Sequence, residues 1–336
     1  MLSWPDSGRG VQAAKAAAAQ RTTDEGQQVA VLQCDTAHWM GMAVSSDGQW
    51  FATCGYDVCS PSVDGVQVWD VGTGMHVRTL KGDRPCRMKR VAWSPDGSML
   101  AALCSDYTAK VWDVATGATV HVLKGAEYMW AVAWSPDGAM LCTGSEGEPL
   151  IWDVATGAVV HTLKGHTNSV LSVAWSCGGV VATGSQDGTV RLWEAATGAA
   201  GHVLHAHDVC DFVAFSPDGS MLASCGYKPP ALPHETSGNV VLWNVGTGTV
   251  TRTLHAHADS VCTVSWNPAG TLVATGSGEP GDLGSVRVWD VATGAAVREI
   301  GFGCDVLSTA WSPCGELLFT ATEDGKAHVH RLSESE

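Results

Sequence analysis

The chain has 336 residues, 45% of them hydrophobic and 16% charged, with 19 Lys and Arg against 34 Asp and Glu for a net charge of −15. So apolar a chain is not intrinsically disordered and can bury a large core. Its acidity argues against a nucleic-acid partner, since phosphate contacts need a basic surface; no stretch approaches the ~20 apolar residues of a membrane helix, which argues against a membrane partner.

Residues 1–26 differ from everything after them. VQAAKAAAAQR (11–21) has high helix propensity, but alanine supplies nearly all of its apolar surface, too little to anchor a helix. A flexible Ala-rich tail is expected. The alternative is an organellar transit peptide, which Arg9, Lys15 and Arg21 fit and Asp6 does not. QQVAVLQC (27–34) then alternates apolar and polar residues and is read as a strand.

From there a phrase recurs. V-W-D-V-x-T-G appears as VWDVGTG from Val68, VWDVATG from Val111, IWDVATG from Ile151, LWEAATG from Leu192, LWNVGTG from Leu242 and VWDVATG from Val288. Its tryptophans, Trp69, Trp112, Trp152, Trp193, Trp243 and Trp289, stand 43, 40, 41, 50 and 46 residues apart. A seventh copy, another 41 residues on, has His330 in the tryptophan position. A second phrase, A-W-S-P-D-G or a variant of it, falls between the markers seven times.

Each period is read as four short strands, with S-P-D-G, Q-D-G and A-T-G as the turns. For the fourth repeat they are expected at 169–175, 179–185 and 189–194, with 158–165 as the fourth. One such sheet leaves both faces open, and stacking copies around an axis buries them, so the copies must form a closed set. The outer strands HVRTLKG, TVHVLKG, VVHTLKG, AGHVLHA, VTRTLHA and AVREIGF number six for seven sheets. Residues 27–34 are expected to supply the seventh, beside the strand around His328 to Leu332.

These motifs resemble the WD-repeat β-propeller family over residues 27–333. The resemblance implies an all-β fold: a seven-bladed propeller of four-stranded antiparallel blades, closed by the N-terminal strand pairing with the last blade. It also implies an Asp-His-Ser/Thr-Trp hydrogen-bond network within a blade. The fourth repeat alone carries all of it, as His166, Thr183, Asp187 and Trp193; elsewhere Asp35 or Ala126 takes the His position. Blades lacking the network must rely more on apolar packing.

Other chemistry is read against the repeat. Twelve cysteines are scattered singly with no C-x-x-C pair, so they are expected as small buried residues in a reducing compartment, with no metal. The cytoplasm is the expected location, with the nucleus open. His205 with His207, and His255 with His257, form two H-x-H pairs; aligned with LKGH, LHAH is the same turn with Lys-Gly replaced by His-Ala. No G-x-S-x-G elbow accompanies the many Ser, His and Asp, so no catalytic residue and no cofactor is assigned. Arg78, His121, His161, His202, Arg252 and Arg298 share one outer-strand position and are read as charge that keeps an exposed edge from pairing; a basic rim for a partner is the alternative.

The face opposite the S-P-D-G turns, called the upper face, is the candidate binding face. The insertions DVCSPSVDG, KPPALPHETSG and GEPGDLGS all fall in the loop class that it carries. The four tyrosines, Tyr56, Tyr107, Tyr128 and Tyr227, all register with upper-face positions, and Trp130 registers with Leu171 at the start of an inner strand. His38, Met40, Arg87 and Lys89 fall at equivalent positions in the first two repeats. Aromatic and basic side chains dominate protein-interface hot spots. Arg84, Arg87, Lys89 and Arg90 form a local basic group that would suit a carboxylate or phosphate.

The expected function is a non-catalytic scaffold or adaptor, a monomeric propeller within a hetero-complex, offering its upper face and channel mouth to a peptide segment or protein domain. The alternative is a hydrolase or lactonase-like enzyme with a metal site in the channel. Mostly Ala, Val, Ser and Met at the inner-strand positions count against that alternative.

Overall fold

The computed structural model describes residues 28–33, 38–56, 65–82, 88–125, 127–205, 207–227, 238–257, 260–278 and 284–332, with the backbone alone at 28–33, 38–40, 56 and 227. Among the described residues, 28 strands form seven four-stranded antiparallel sheets. Blade 1 runs from His38 to Leu80, blade 2 from Met88 to Lys124, blade 3 from Met129 to Thr162, blade 4 from Val170 to His205, blade 5 from Val209 to His257 and blade 6 from Val261 to Gly301. Blade 7 takes Val306–Trp311, Leu317–Thr322 and Lys326–Arg331, and Gln28–Gln33 adds its outer strand, with Val31 opposite His328 and Gln33 opposite Lys326. The innermost strand of each blade neighbours those of the adjacent blades, blade 7 meeting blade 1.

The turns follow from their side chains. In S-P-D-G, the Ser94 hydroxyl donates to Asp96 Oδ1 at 2.6 Å, and Gly97 takes φ 70°. In the marker turn, Asp113 Oδ1 accepts from the Thr116 backbone N–H at 2.7 Å and its hydroxyl at 2.6 Å. These hydroxyls, Ser94 on one and Thr116 on the other, hold the Asp96 and Asp113 carboxyls below their ordinary range.

The apolar core lies between blades rather than within them. One cluster joins Ala52, Val66, Val68 and Leu80 of blade 1 to Val91, Trp93, Leu100 and Trp112 of blade 2. A second set of tryptophans, from A-W-S, ties inner strands together: Trp134 Nε1 donates to Ala92 O at 3.0 Å, and Trp93, Trp175, Trp266 and Trp311 repeat the bond to the preceding blade.

One sequence expectation is corrected and another extended. The strand Val159–Thr162 pairs with Leu150–Asp153 and so closes blade 3; blade 4 closes with Ala199–His205. The repeat read from sequence is thus offset from the sheet by one strand, because the outer strand follows the marker of its own blade. The outer-strand column does more than guard an edge. Arg78 donates to Val114 O at 3.3 Å, His161 Nε2 lies 3.0 Å from Ala196 O, His202 Nε2 3.3 Å from Gly246 O, and Arg298 donates to Arg331 O at 3.1 Å. Arg252 donates to both Ala292 O and Thr293 O. Each of these bonds reaches the next blade, so the column ties five of the junctions between neighbouring blades.

The network residues of blade 4 lie where the resemblance puts them. His166 Nδ1 donates to Asp187 Oδ2 at 2.8 Å, since the carboxylate only accepts. His166 Nε2 lies 2.7 Å from Thr183 Oγ1, which accepts from Trp193 Nε1 at 2.9 Å. The same chain of bonds stands in blade 5, as His207–Ser224–Trp243, and in blade 6, as His257–Thr275–Trp289, where the Ser285 hydroxyl lies 3.1 Å from His257 Nδ1. This separates the H-x-H pairs: His207 and His257 are buried in the networks, whereas His205 and His255 are exposed. In blade 7, Thr320 Oγ1 and His330 Nε2 are buried with no hydrogen-bond partner among the described residues, where a tryptophan at 330 would donate to Thr320.

Candidate functional site: the channel mouth

Every inner strand breaks register at the same point near its upper end. The shift falls between Trp39 and Gly41, Met88 and Arg90, Met129 and Ala131, Val170 and Ser172, Cys210 and Phe212, Val261 and Thr263, and Val306 and Ser308. A bulge leaves one residue unpaired and re-aims it. The seven bulge residues are Met40, Lys89, Trp130, Leu171, Asp211, Cys262 and Leu307, and the six whose side chains are described are all half-buried. Repetition around the ring sets them about the channel mouth.

On the side of blades 2 and 3 the mouth is aromatic and basic. Lys89 Nζ sits 4.4 Å from the Tyr128 ring centroid and 5.0 Å from that of Trp130. Tyr128 and Trp130 have centroids 4.7 Å apart, and Tyr107 meets Tyr128 edge-on at 5.7 Å. Tyr107 lies at the position held in blade 4 by Gly188 and adopts the same left-handed backbone, φ 65° against 80°. A non-glycine residue held there is strained, and such strain collects at ligand-binding sites. Tyr128 Oη and Trp130 Nε1 are buried and have no hydrogen-bond partner among the described residues. Two such donors beside an ammonium group are set to receive an oxygen acceptor.

Below the mouth, Arg90 points across the channel from blade 2, its guanidinium carbon 5.8 Å from the Phe212 ring centroid in blade 5. A cavity of about 100 Å³ follows the channel here, lined among others by Met42, Arg90, Ala131, Leu171, Phe212 and Ser308. Burial lowers the Arg90 pKa, and the charges of Cys54, Cys262 and Asp211 oppose that shift. Burial raises Asp211 to about 6 despite Arg90, and burial, with Asp211 adding to it, raises the Cys262 thiol. Asp211 is the one carboxylate among the described residues whose charge acts on this guanidinium.

The structure therefore brings together Lys89, Tyr128 and Trp130 from the sequence-predicted set, and adds Tyr107 beside them. The backbones of His38, Met40, Tyr56 and Tyr227 lie at upper strand ends, with side chains outside the described residues. Arg84, Arg87, Asp35, Ala126 and most of the three insertions lie outside the described residues altogether. Asp211, Cys262 and Leu307 were missed, although counting from Trp130 through the repeat reaches each of them. No cluster of three or more His, Cys, Asp or Glu is placed to hold a metal among the described residues.

Six segments, residues 26–57, 117–153, 157–194, 198–244, 248–290 and 297–331, match the family model described as WD domain, G-beta repeat. Residues 51–129 match the one described as Anaphase-promoting complex subunit 4 WD40 domain. No curated protein matches the chain.

Proposed function

The chain belongs to the WD-repeat family, and from that premise we propose that it is a non-catalytic scaffold whose channel mouth takes an acidic peptide segment of a protein partner. The observation that carries this reading is the Lys89–Tyr128–Trp130 group with its two unpartnered donors. A carboxylate placed there meets an ammonium and two neutral N–H and O–H donors, and Arg90 offers a second cation further down the channel. The mouth is set on paired strands, so little ordering entropy opposes binding. The match of residues 51–129 to the subunit 4 WD40 domain supports a place in a multiprotein complex. Buried free thiols such as Cys54 and Cys142 support a reducing compartment, read as the cytoplasm.

The test is affinity purification with mass spectrometry, run side by side on the wild-type chain and the Tyr128→Ala/Trp130→Ala variant. The reading expects a defined set of proteins to fall at least tenfold in the variant while its circular dichroism is unchanged. Equal recovery by both would contradict it.

A further inference from the structure

Blades 3 and 4 share a tryptophan–threonine pair but differ in what sits above it. In blade 4 the His166 imidazole bridges Thr183 and Asp187. In blade 3, Trp152 Nε1 donates to Thr143 Oγ1 at 2.9 Å, as Trp193 does to Thr183. Residue 126, aligned with His166, is alanine in the sequence. The segment from Thr143 to Trp152 is one residue shorter than that from Thr183 to Trp193, and it carries Gly147 and no aspartate.

A cavity of about 370 Å³ occupies this part of blade 3, lined by Thr143 and Ser145 on the sheet, Gly147 and Glu148 in the loop, and Glu127 and Met129. The Glu127 carboxylate lies against Gly147, in the space that a side chain at 147 would take. A carboxylate thus comes from the bend ahead of the inner strand Met129–Trp134 to the loop position that carries Asp187 in blade 4. Among the described residues, the cavity has the Thr143 hydroxyl and the Glu127 carboxylate in its lining and no ring in that lining. Its size falls in the lower range of ligand pockets, and Glu127 and Glu148 are exposed at its rim.

We infer that this cavity binds an imidazole ring, and that its occupant is a histidine side chain of a protein partner. Thr143 Oγ1 already accepts from Trp152, so its hydrogen is available to a ring nitrogen that accepts. Glu127 accepts from the opposite N–H. Neutral imidazole carries one acceptor and one donor on opposite sides of a flat ring; an ammonium group has no acceptor. His166 in blade 4 makes this pair of bonds within the chain itself. The site is separate from the channel mouth and does not depend on that reading.

The probe is 4-methylimidazole, followed by saturation-transfer NMR and by the melting temperature of the full chain. Saturable binding in the millimolar range is expected, with a rise in melting temperature. Thr143→Val and Glu127→Gln should each weaken it at least fivefold, and 1-methylimidazole, which lacks the N–H, should bind at least fivefold more weakly. Ala126→His, which supplies an internal ring, should weaken it at least tenfold; if that variant does not fold, the first two decide. The tripeptide acetyl-Gly-His-Gly-amide should compete with the probe, and its failure to do so overturns the histidine occupant. Tyr128→Ala/Trp130→Ala should bind the probe as the wild type does. Unsaturable binding, or equal binding by Thr143→Val and Glu127→Gln, overturns the site.

Discussion

Arg252 in blade 5 donates one guanidinium N–H to Ala292 O at 2.7 Å and another to Thr293 O at 2.8 Å, both in the marker turn of blade 6. Two hydrogen bonds from one cation to the carbonyls of the next blade hold the outer rims together. Arg252→Ala is expected to cost about 1–2 kcal/mol, the lower part of the range for charged hydrogen bonds because the site is exposed. Urea denaturation reads this as a lower midpoint. A midpoint equal to the wild type would return the column to simple edge protection.

The closing blade and blade 6 each carry a buried histidine that makes stability depend on pH. His330 fills a tryptophan's place, and burial lowers its pKa to about 4, with His328 and Arg298 adding to the shift. Burial and Arg287 take His257 to about 4 as well. Each folded value lies below the ordinary 6.5, so the stability contributed is complete above about pH 6.5 and is lost as pH falls towards 4. His330→Trp should bond to Thr320 Oγ1, raise the melting temperature and flatten part of this loss. A melting curve with the wild-type pH dependence would refute the assignment.

Acidic-peptide capture should itself depend on pH. Asp211 titrates near 6 and shares the channel with Arg90, so its negative charge repels a carboxylate above that pH. Binding, measured by fluorescence anisotropy with a panel of acidic peptides, should tighten several-fold between pH 7.5 and 5.5. Asp211→Asn should bind at pH 7.5 as tightly as the wild type does at 5.5. A variant that keeps the full pH dependence would remove Asp211 from the account.

Tyr107 separates stability from binding. Its left-handed φ of 65° favours glycine, and a strained residue there costs of order 1–3 kcal/mol. Tyr107→Gly should leave the melting temperature unchanged or higher, while capture weakens through loss of the edge contact with Tyr128. A fall in stability would mean that Tyr107 serves the fold.

Much of this architecture could be read from the residues. The spacing of Trp69 to Trp289 and His330 fixed the number of sheets, and the pattern of 27–34 marked the closing strand, because sheet alternation is local. The ties between blades were less legible: Arg252 and Thr293 are 41 residues apart, and nothing near Arg252 says that its guanidinium turns to the next blade. The mouth was half legible. Lys89 and Trp130 stood out by residue type, whereas Asp211 and Leu307 are marked only by their place in the repeat, whose meaning the backbone bulge supplies. The blade 3 cavity needed the fold, since Ala126 and Gly147 say what is missing but not that Glu127 bends into the space.

The central claim is that partners enter at the channel mouth, and site-specific photo-crosslinking within blade 4 tests it most directly. Leu171 is at the mouth and Cys177 is exposed in the turn at the other end of the same inner strand. A crosslinker at 171 should trap the partner and one at 177 should not. Trapping from 177 with none from 171 would place the partner on the opposite face and contradict the account.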